Sequence, residues 1–81
     1  MQINKDTAMK LWDEKFGKET TAHDYKGREI RKAAYGQEGS RYAWNLDHIK
    51  PKSKGGTDRI DNLQIVHILT NQEKADSRIH R

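Results

Sequence analysis

Residues 43–49 of the chain read Ala-Trp-Asn-Leu-Asp-His-Ile, and residues 63–68 read Leu-Gln-Ile-Val-His-Ile. The first run alternates apolar and polar residues as a half-buried strand does, and Pro51 ends it because proline cannot donate to a β-ladder. The second is a short apolar run between turn residues, which also predicts a strand. A polar, lysine-bearing loop, residues 50–61, joins them. We therefore expect a hairpin with a long connection.

A helix is expected to follow the second strand. Thr70 and Glu73 match a capping box, in which a hydroxyl and a carboxylate each bind a free backbone N–H at a helix N-terminus. This pattern predicts that the helix begins at about Asn71. The expected order over residues 43–78 is therefore strand, loop, strand, helix.

The first 42 residues are predicted to form an extension made of a helix and a small hairpin. Residues 6–16 carry apolar side chains at the spacing of one helical face, and Gly17 follows as a stop signal. Residues 20–32 favour a short hairpin with its turn at Lys26-Gly27, and residues 35–41 are typical of a surface loop. The aromatic side chains expected in the core are Trp12, Phe16, Tyr25 and Trp44.

The composition indicates one small domain, residues 1–81, with a net charge of +4. Ile, Leu, Val and Phe supply only 13 of the 81 residues, so the core must be small. The chain has no Cys, which excludes disulfides and a thiolate zinc ribbon. Its longest apolar runs are two or three residues, so we expect a soluble, cytoplasmic protein that does not act at a membrane.

Asp47 and His48 are the first residues that suggest chemistry. A carboxylate is a hard ligand for a divalent cation, and an imidazole is a base near neutral pH, although a solvated strand end would also explain the pair. Asn62 follows His48 by 14 residues, and Asn71 follows Asn62 by 9. Consecutive strand residues point to opposite faces, so the two side chains can share a site only if the ladder ends or bulges there.

Residues 44–56 (Trp-Asn-Leu-Asp-His-Ile-Lys-Pro-Lys-Ser-Lys-Gly-Gly) and 61–76 (Asp-Asn-Leu-Gln-Ile-Val-His-Ile-Leu-Thr-Asn-Gln-Glu-Lys-Ala-Asp) resemble the HNH endonuclease family. The family's ββα-metal motif runs Asp-His, loop, Asn, strand, and a helix that opens with His or Asn. The resemblance covers residues 43–77. It implies an α+β fold with a ββα-metal finger, and a bacterial or phage-encoded protein that hydrolyses phosphodiester bonds in DNA.

The resemblance also assigns roles to four residues. Asp47 and Asn71 would bind the metal, His48 would be the general base, and Asn62 would brace the loop and orient the base. An Asn at the last position suits Mg²⁺ or Mn²⁺ better than Zn²⁺, because a neutral amide oxygen is a hard, weak ligand. One metal suffices to stabilise the leaving oxygen. Many relatives bind a structural zinc through Cys pairs, which are absent here, so no structural zinc is expected.

Six basic residues are candidates for contacts with nucleic-acid phosphates. Three lie in the loop and two share a helix face with Asn71, and the sixth lies in the extension: Lys50, Lys52, Lys54, Lys74, Arg78 and Arg28. A solvated surface is the alternative for the loop and helix residues, and a structural ion pair is the alternative for Arg28. The remaining histidines, His23, His67 and His80, have no ligand spacing and are expected to be structural or solvated.

The expected partner is double-stranded DNA. One site per chain predicts that a monomer nicks one strand and that only a weak homodimer or paired binding cuts both, leaving 5′-phosphate and 3′-hydroxyl ends. A larger assembly, such as a phage packaging machine, is compatible with this activity. Two alternatives stay open: a non-catalytic nucleic-acid-binding module, and a nuclease directed at RNA.

Overall fold

The computed structural model describes residues 4–79 of the chain, and the side chains of residues 4–75. Its regular elements, in chain order, are α1 (Lys5–Phe16), β1 (Thr21–His23), β2 (Glu29–Arg31), β3 (Trp44–His48), β4 (Leu63–His67) and α2 (Ile68–Ile79). Two antiparallel strand pairs, β1 with β2 and β3 with β4, accompany the two helices. The fold is therefore α+β with a ββα unit, as the sequence predicts.

The strands of the ββα unit pair without a bulge. The ladder runs from Trp44 opposite His67 to His48 opposite Leu63, and ends there. Side chains alternate between the two faces along a strand, so His48 lies on the same face as Trp44 and Leu46, whereas Asp47 lies on the other face. Both strands were predicted within one residue, and the ladder ends at His48 rather than bulging.

The predicted start of the second helix is wrong. α2 begins at Ile68, directly after β4, so Thr70 lies inside its first turn with a buried side chain. Thr70 Oγ1 accepts a hydrogen bond from Arg28 Nη1 at 2.9 Å, and Glu73 forms a bidentate ion pair with the same guanidinium. The capping-box pattern is a local signal, and these two side chains instead bind a residue more than 40 positions earlier in the chain.

The extension folds as expected. α1 begins after Asn4, whose side chain accepts a hydrogen bond from the Thr7 N–H at 2.9 Å, and ends at Gly17 with a positive φ of 62°. β1 and β2 form the predicted hairpin, in which Ala22 pairs with the buried Ile30. Neither helix in the described part of the chain is long and apolar enough to cross a bilayer.

Two tryptophans form the centre of the core. The ring centroids of Trp12 and Trp44 lie 5.0 Å apart, and their indole N–H groups donate to the backbone carbonyls of Glu19 and Arg31 at 2.7 Å. Phe16 packs edge-on against Trp12, so these three predictions are confirmed. The prediction for Tyr25 is wrong, because this residue occupies the turn of the β1–β2 hairpin and its surface is 59% exposed.

The carboxylate of Asp24 connects the extension to the ββα unit. One oxygen accepts the backbone N–H groups of Lys26 and Arg28, each at 3.0 Å, and the other accepts the N–H of His67 at 2.9 Å. Burial acts to raise the pKa of Asp24, but the hydrogen bonds from Thr70 and from these backbone groups outweigh it and lower the pKa below its usual value. The carboxylate is therefore ionised and fully engaged.

Candidate active site

Asp47 lies on the α2 side of the strand pair, with its side chain mostly buried. Its Oδ2 atom accepts a hydrogen bond from Gln64 Nε2 at 3.1 Å and from Lys74 Nζ at 2.5 Å. Lys74 reaches this position from α2 and also donates to the backbone carbonyl of His48 at 3.1 Å. The ammonium thus bridges two oxygens at the end of β3.

His48 closes β3 on the opposite face, and its ring contacts the loop that follows. The Nε2 atom lies 2.6 Å from Asp58 Oδ1, and Lys52 Nζ donates to Asp58 Oδ2 at 3.2 Å. The hydrogen bond with His48, and then the one from Lys52, lower the pKa of Asp58 against the opposing effect of burial. Asp58 is a residue that the sequence analysis missed.

Asp47 and His48 meet at one pocket although they occupy opposite faces of the strand. This is possible because the ladder ends at His48 and the chain turns into the loop. The pocket is lined by Asp47, His48, Pro51, Lys52, Ser53 and Lys54. We expected Asp47 and His48 to share a site only if the ladder ended or bulged near them, and the ladder ends at His48.

Asn62 closes the loop between β3 and β4. Its carboxamide accepts the Lys50 N–H at 2.9 Å and donates to the carbonyls of Lys50 and Thr57 at 3.1 and 2.7 Å. Its backbone carbonyl accepts the Ile49 N–H at 2.8 Å. These contacts brace the loop through its backbone, and none of the hydrogen bonds formed by the described residues joins the Asn62 side chain to the His48 ring.

Two glycines make the tight closure of this loop possible. Gly55 has a φ of 92°, which residues with a side chain rarely adopt. A Cβ atom at Gly56 would lie 1.8 Å from the carbonyl oxygen of Lys50, a distance that no side chain tolerates. The Gly-Gly pair is thus required by the path of the loop that carries Asp58.

Asn71 projects from α2 toward β3. Its Nδ2 atom donates to Asn45 Oδ1 at 3.1 Å, and Asn45 lies on the same strand face as Asp47. The amide oxygen of Asn71 is then the atom left to bind a cation. In the described part of the chain, no three His, Cys, Asp or Glu side chains are grouped to bind a metal. The side-chain oxygens that the resemblance assigns to the metal are those of Asp47 and Asn71, and Asn71 is not among the residues that line the pocket.

These oxygens suit a hard cation better than a soft one. Mg²⁺ binds through one or two protein oxygens and keeps several waters, which matches the small donor set. The Lys74 ammonium against Asp47 Oδ2 and the His48 carbonyl shows that positive charge is favoured at this position. The residues present therefore fit Mg²⁺ or Mn²⁺.

The candidate phosphate-binding residues fall into different groups. Lys50 and Lys54 are exposed on the loop, whereas Lys52 pairs with Asp58 and Lys74 with Asp47. Arg28 forms the structural ion pair that the sequence left open as its alternative, through a 2.7 Å contact with Glu73. The Arg78 side chain and all of His80 lie outside the described residues.

His67 has the structural role expected from its spacing. It is buried, its Nε2 atom lies 2.7 Å from the Arg41 carbonyl, and its Nδ1 atom accepts the Leu69 N–H at 3.0 Å. Both ring nitrogens are thus used within the fold.

Three residues that contact the site escaped the sequence analysis. These are Asn45, which binds Asn71, Gln64, which binds Asp47, and Asp58, which binds His48. The strand register could have identified Gln64, because it lies directly opposite Asp47. No local pattern marks Asp58, since its contact depends on how the loop closes.

An antiparallel strand pair with a long looped connection, followed at once by a helix packed on the strands, defines the ββα class of small α+β domains. The sequence model of the HNH endonuclease family matches residues 30–77. Since this span is more than half of the chain, the protein belongs to the HNH endonuclease family, as the sequence motifs predict. No curated protein and no solved structure matches the chain significantly. Family membership indicates nuclease activity on nucleic acid, generally with a divalent metal.

Proposed function

We propose that the protein is a divalent-metal-dependent DNA endonuclease that hydrolyses phosphodiester bonds with His48 as the general base. The observation that supports this most strongly is that Asp47 and His48 line one pocket at the end of β3. A base and a hard anionic ligand side by side are what metal-assisted hydrolysis requires.

His48 takes the proton from the attacking water. A neutral imidazole can do this near pH 7, and general base catalysis typically contributes about 10²–10⁴-fold in rate. The ring is half-buried and held at Nε2, so its orientation toward the pocket is restricted. Asn62 supports this arrangement indirectly, because it holds the loop that begins immediately after His48.

Asp47 and Asn71 are the residues that would hold the metal. When bound, Mg²⁺ or Mn²⁺ supplies positive charge that stabilises the phosphate and the departing 3′ oxygen. Lys74 is adjacent to both protein ligands, since it binds Asp47 and lies three residues after Asn71 on α2. If a bound cation displaced Lys74 from Asp47, the Lys74 ammonium would be free to contact a phosphate.

The substrate is double-stranded DNA, contacted through its phosphates. The net charge of +4 and the exposed lysines at positions 50 and 54, beside the pocket, favour a polyanion. One site per chain gives nicks with 5′-phosphate and 3′-hydroxyl ends. A break in both strands then requires a weak homodimer or two binding events.

Cleavage of supercoiled plasmid tests this function. We expect nicked circles with Mg²⁺ or Mn²⁺ and intact plasmid with EDTA, and a His48→Ala variant should lose about 10²–10⁴-fold in rate while binding DNA as the wild type does. The matched control is His23→Ala, which removes an exposed histidine on β1.

Three outcomes would contradict the proposal. Cleavage by His48→Ala within about tenfold of the wild type would remove His48 as the base. DNA binding without cleavage under any metal would identify a non-catalytic module. Faster cleavage of a matched RNA than of DNA would make RNA the substrate.

A further inference from the structure

We propose that Asp58 is the positioning residue of His48, binding the imidazole at Nε2 so that Nδ1 is the nitrogen that accepts the proton from water. This inference rests on the proposed role of His48 as the base. It adds a residue and a tautomer that neither the sequence motifs nor the family match identifies.

The first support is the geometry of the pair. Asp58 Oδ1 lies 2.6 Å from His48 Nε2, and the side chain of Asp58 is only 12% exposed. Lys52 holds the second oxygen at 3.2 Å, so both oxygens of the carboxylate are engaged. The ring is therefore bound to a group that is itself fixed.

The second support concerns which of the two atoms in this hydrogen bond carries the hydrogen. An ionised carboxylate can only accept, and the lowered pKa of Asp58 keeps it ionised at neutral pH. The hydrogen must then sit on Nε2 of a neutral His48, which leaves the lone pair on Nδ1. No hydrogen bond within the described residues uses Nδ1, so this nitrogen is available to a water.

The third support is that Asn62 and Asp58 bind different groups within the loop. All the side-chain hydrogen bonds of Asn62 go to the backbone of Lys50 and Thr57, and none of them reaches the ring. Asn62 therefore fixes the loop, and Asp58, carried by that loop, fixes the ring. A misplaced base loses rate without losing substrate affinity.

His67 provides an internal comparison. Its Nδ1 accepts the Leu69 N–H, so its hydrogen also sits on Nε2, where it donates to the Arg41 carbonyl. The two histidines share a tautomer, but no hydrogen bond of the described residues uses Nδ1 of His48, a residue that lines the pocket. His67 is thus a reference signal within the same protein.

Nitrogen-15 NMR of the metal-free protein tests the tautomer without any need for activity. We expect His48 in its neutral form to carry hydrogen on Nε2, with the signal assigned by its loss in His48→Ala. In Asp58→Asn, Lys52 attracts the amide oxygen and the NH₂ group faces Nε2, so the hydrogen should move to Nδ1. A wild-type His48 with hydrogen on Nδ1 would overturn the proposal, whatever the protein cleaves.

Plasmid cleavage gives the second measurement. Asp58→Asn should lower kcat by about 10²–10⁴-fold with KM within about twofold, because the wrong tautomer cannot accept the proton. Asp58→Glu should recover part of this loss by restoring an acceptor. The control is Asp61→Asn, which changes an exposed loop residue whose ion pair among the described residues is with Arg59 at 3.6 Å, and it should keep the wild-type tautomer and kcat.

The two measurements separate the possible failures. If the wild type cleaves and Asp58→Asn matches Asp61→Asn in both tautomer and kcat, Asp58 is not a positioning residue. If the wild type fails to cleave any nucleic acid, the proposed function is wrong, and the wild-type tautomer still decides whether Asp58 orients the ring.

Discussion

Lys74 binds Asp47, the carboxylate that we propose as a metal ligand. Its ammonium contacts the carboxylate and the neighbouring backbone carbonyl, and both side chains of the pair are largely shielded from water. A cation that binds the same Oδ2 atom must therefore displace an existing positive charge. The two cations compete because each stabilises the same partly buried negative charge.

Replacement of Lys74 should tighten metal binding. In Lys74→Met the carboxylate loses its competitor but keeps the packing of an aliphatic chain, so we expect the Mn²⁺ Kd to fall roughly three- to tenfold, equivalent to about 0.6–1.4 kcal/mol. Calorimetric titration without DNA measures it. The control is Lys54→Met, which removes an exposed lysine that lines the same pocket as Asp47. An unchanged Kd in Lys74→Met would show that the metal and the Lys74 ammonium do not compete for Asp47 Oδ2.

At the scale of elements, the loop between β3 and β4 behaves as a structural unit. Asn62 ties both of its ends, and Gly56 lets the backbone pass the Lys50 carbonyl at close range. The loop also carries Asp58, so its path determines where the His48 ring is held.

Gly56→Ala should damage both stability and cleavage. The added Cβ meets backbone at 1.8 Å, so the loop must move, at a cost of roughly 1–3 kcal/mol and with loss of most of the activity. Gly39→Ala is the matched control, because nothing lies within 4 Å of its Cβ position. Urea unfolding and plasmid nicking measure the effect, and equal results for the two variants would show that the loop has no fixed path.

The Asp24 carboxylate acts between elements, because it joins the hairpin turn to β4 and α2. Its folded-state pKa lies below the value of about 3.9 for an unfolded chain. The stability that it contributes is therefore fully present above about pH 4 and is lost as the pH falls through the lower folded-state pKa.

Asp24→Asn should destabilise the protein by roughly 1–3 kcal/mol at pH 6, because an amide cannot accept all of these hydrogen bonds. The difference from the wild type should shrink toward pH 3, because the unfolded chain takes up the proton at a higher pH than the folded carboxylate does. Urea unfolding at both pH values measures it, with Asp61→Asn as an exposed control. A difference in unfolding free energy that stays constant or grows on acidification would contradict an ionised Asp24 carboxylate that stabilises the fold.

At the scale of the whole molecule, stability depends on a small core. Two tryptophans and a few aliphatic residues supply most of the buried apolar surface, and the chain has no disulfide to limit the entropy of its unfolded state. Binding of a cation to the folded state alone should therefore be visible as a rise in Tm.

Mn²⁺ at tenfold excess over its Kd should stabilise the protein by about 1.4 kcal/mol, which is a rise in Tm of roughly 6–11 °C for a domain of this size. Asp47→Ala should lose this rise. Differential scanning calorimetry without DNA compares the two. Identical responses of both proteins would mean that the metal does not occupy this site in the free protein.

Much of the fold could be read from local patterns. The alternation ahead of His48, the proline at 51 and the apolar run of β4 each act through neighbours in sequence, so the strands and the loop were predicted within a residue. The set of Asp47, His48, Asn62 and Asn71 followed from the family motif, and their roles remain predictions.

Only the tertiary structure decided which side chains meet. Lys74 binds Asp47 across 27 positions, and Arg28 binds Glu73 across 45, while Asp58 reaches His48 only because the loop closes on itself. α2 begins at Ile68, and the side chains of Thr70 and Glu73 bind Arg28 instead of capping the helix. Sequence determines contacts that depend on neighbouring residues, whereas distant partners are chosen by packing and loop closure, which no local pattern encodes.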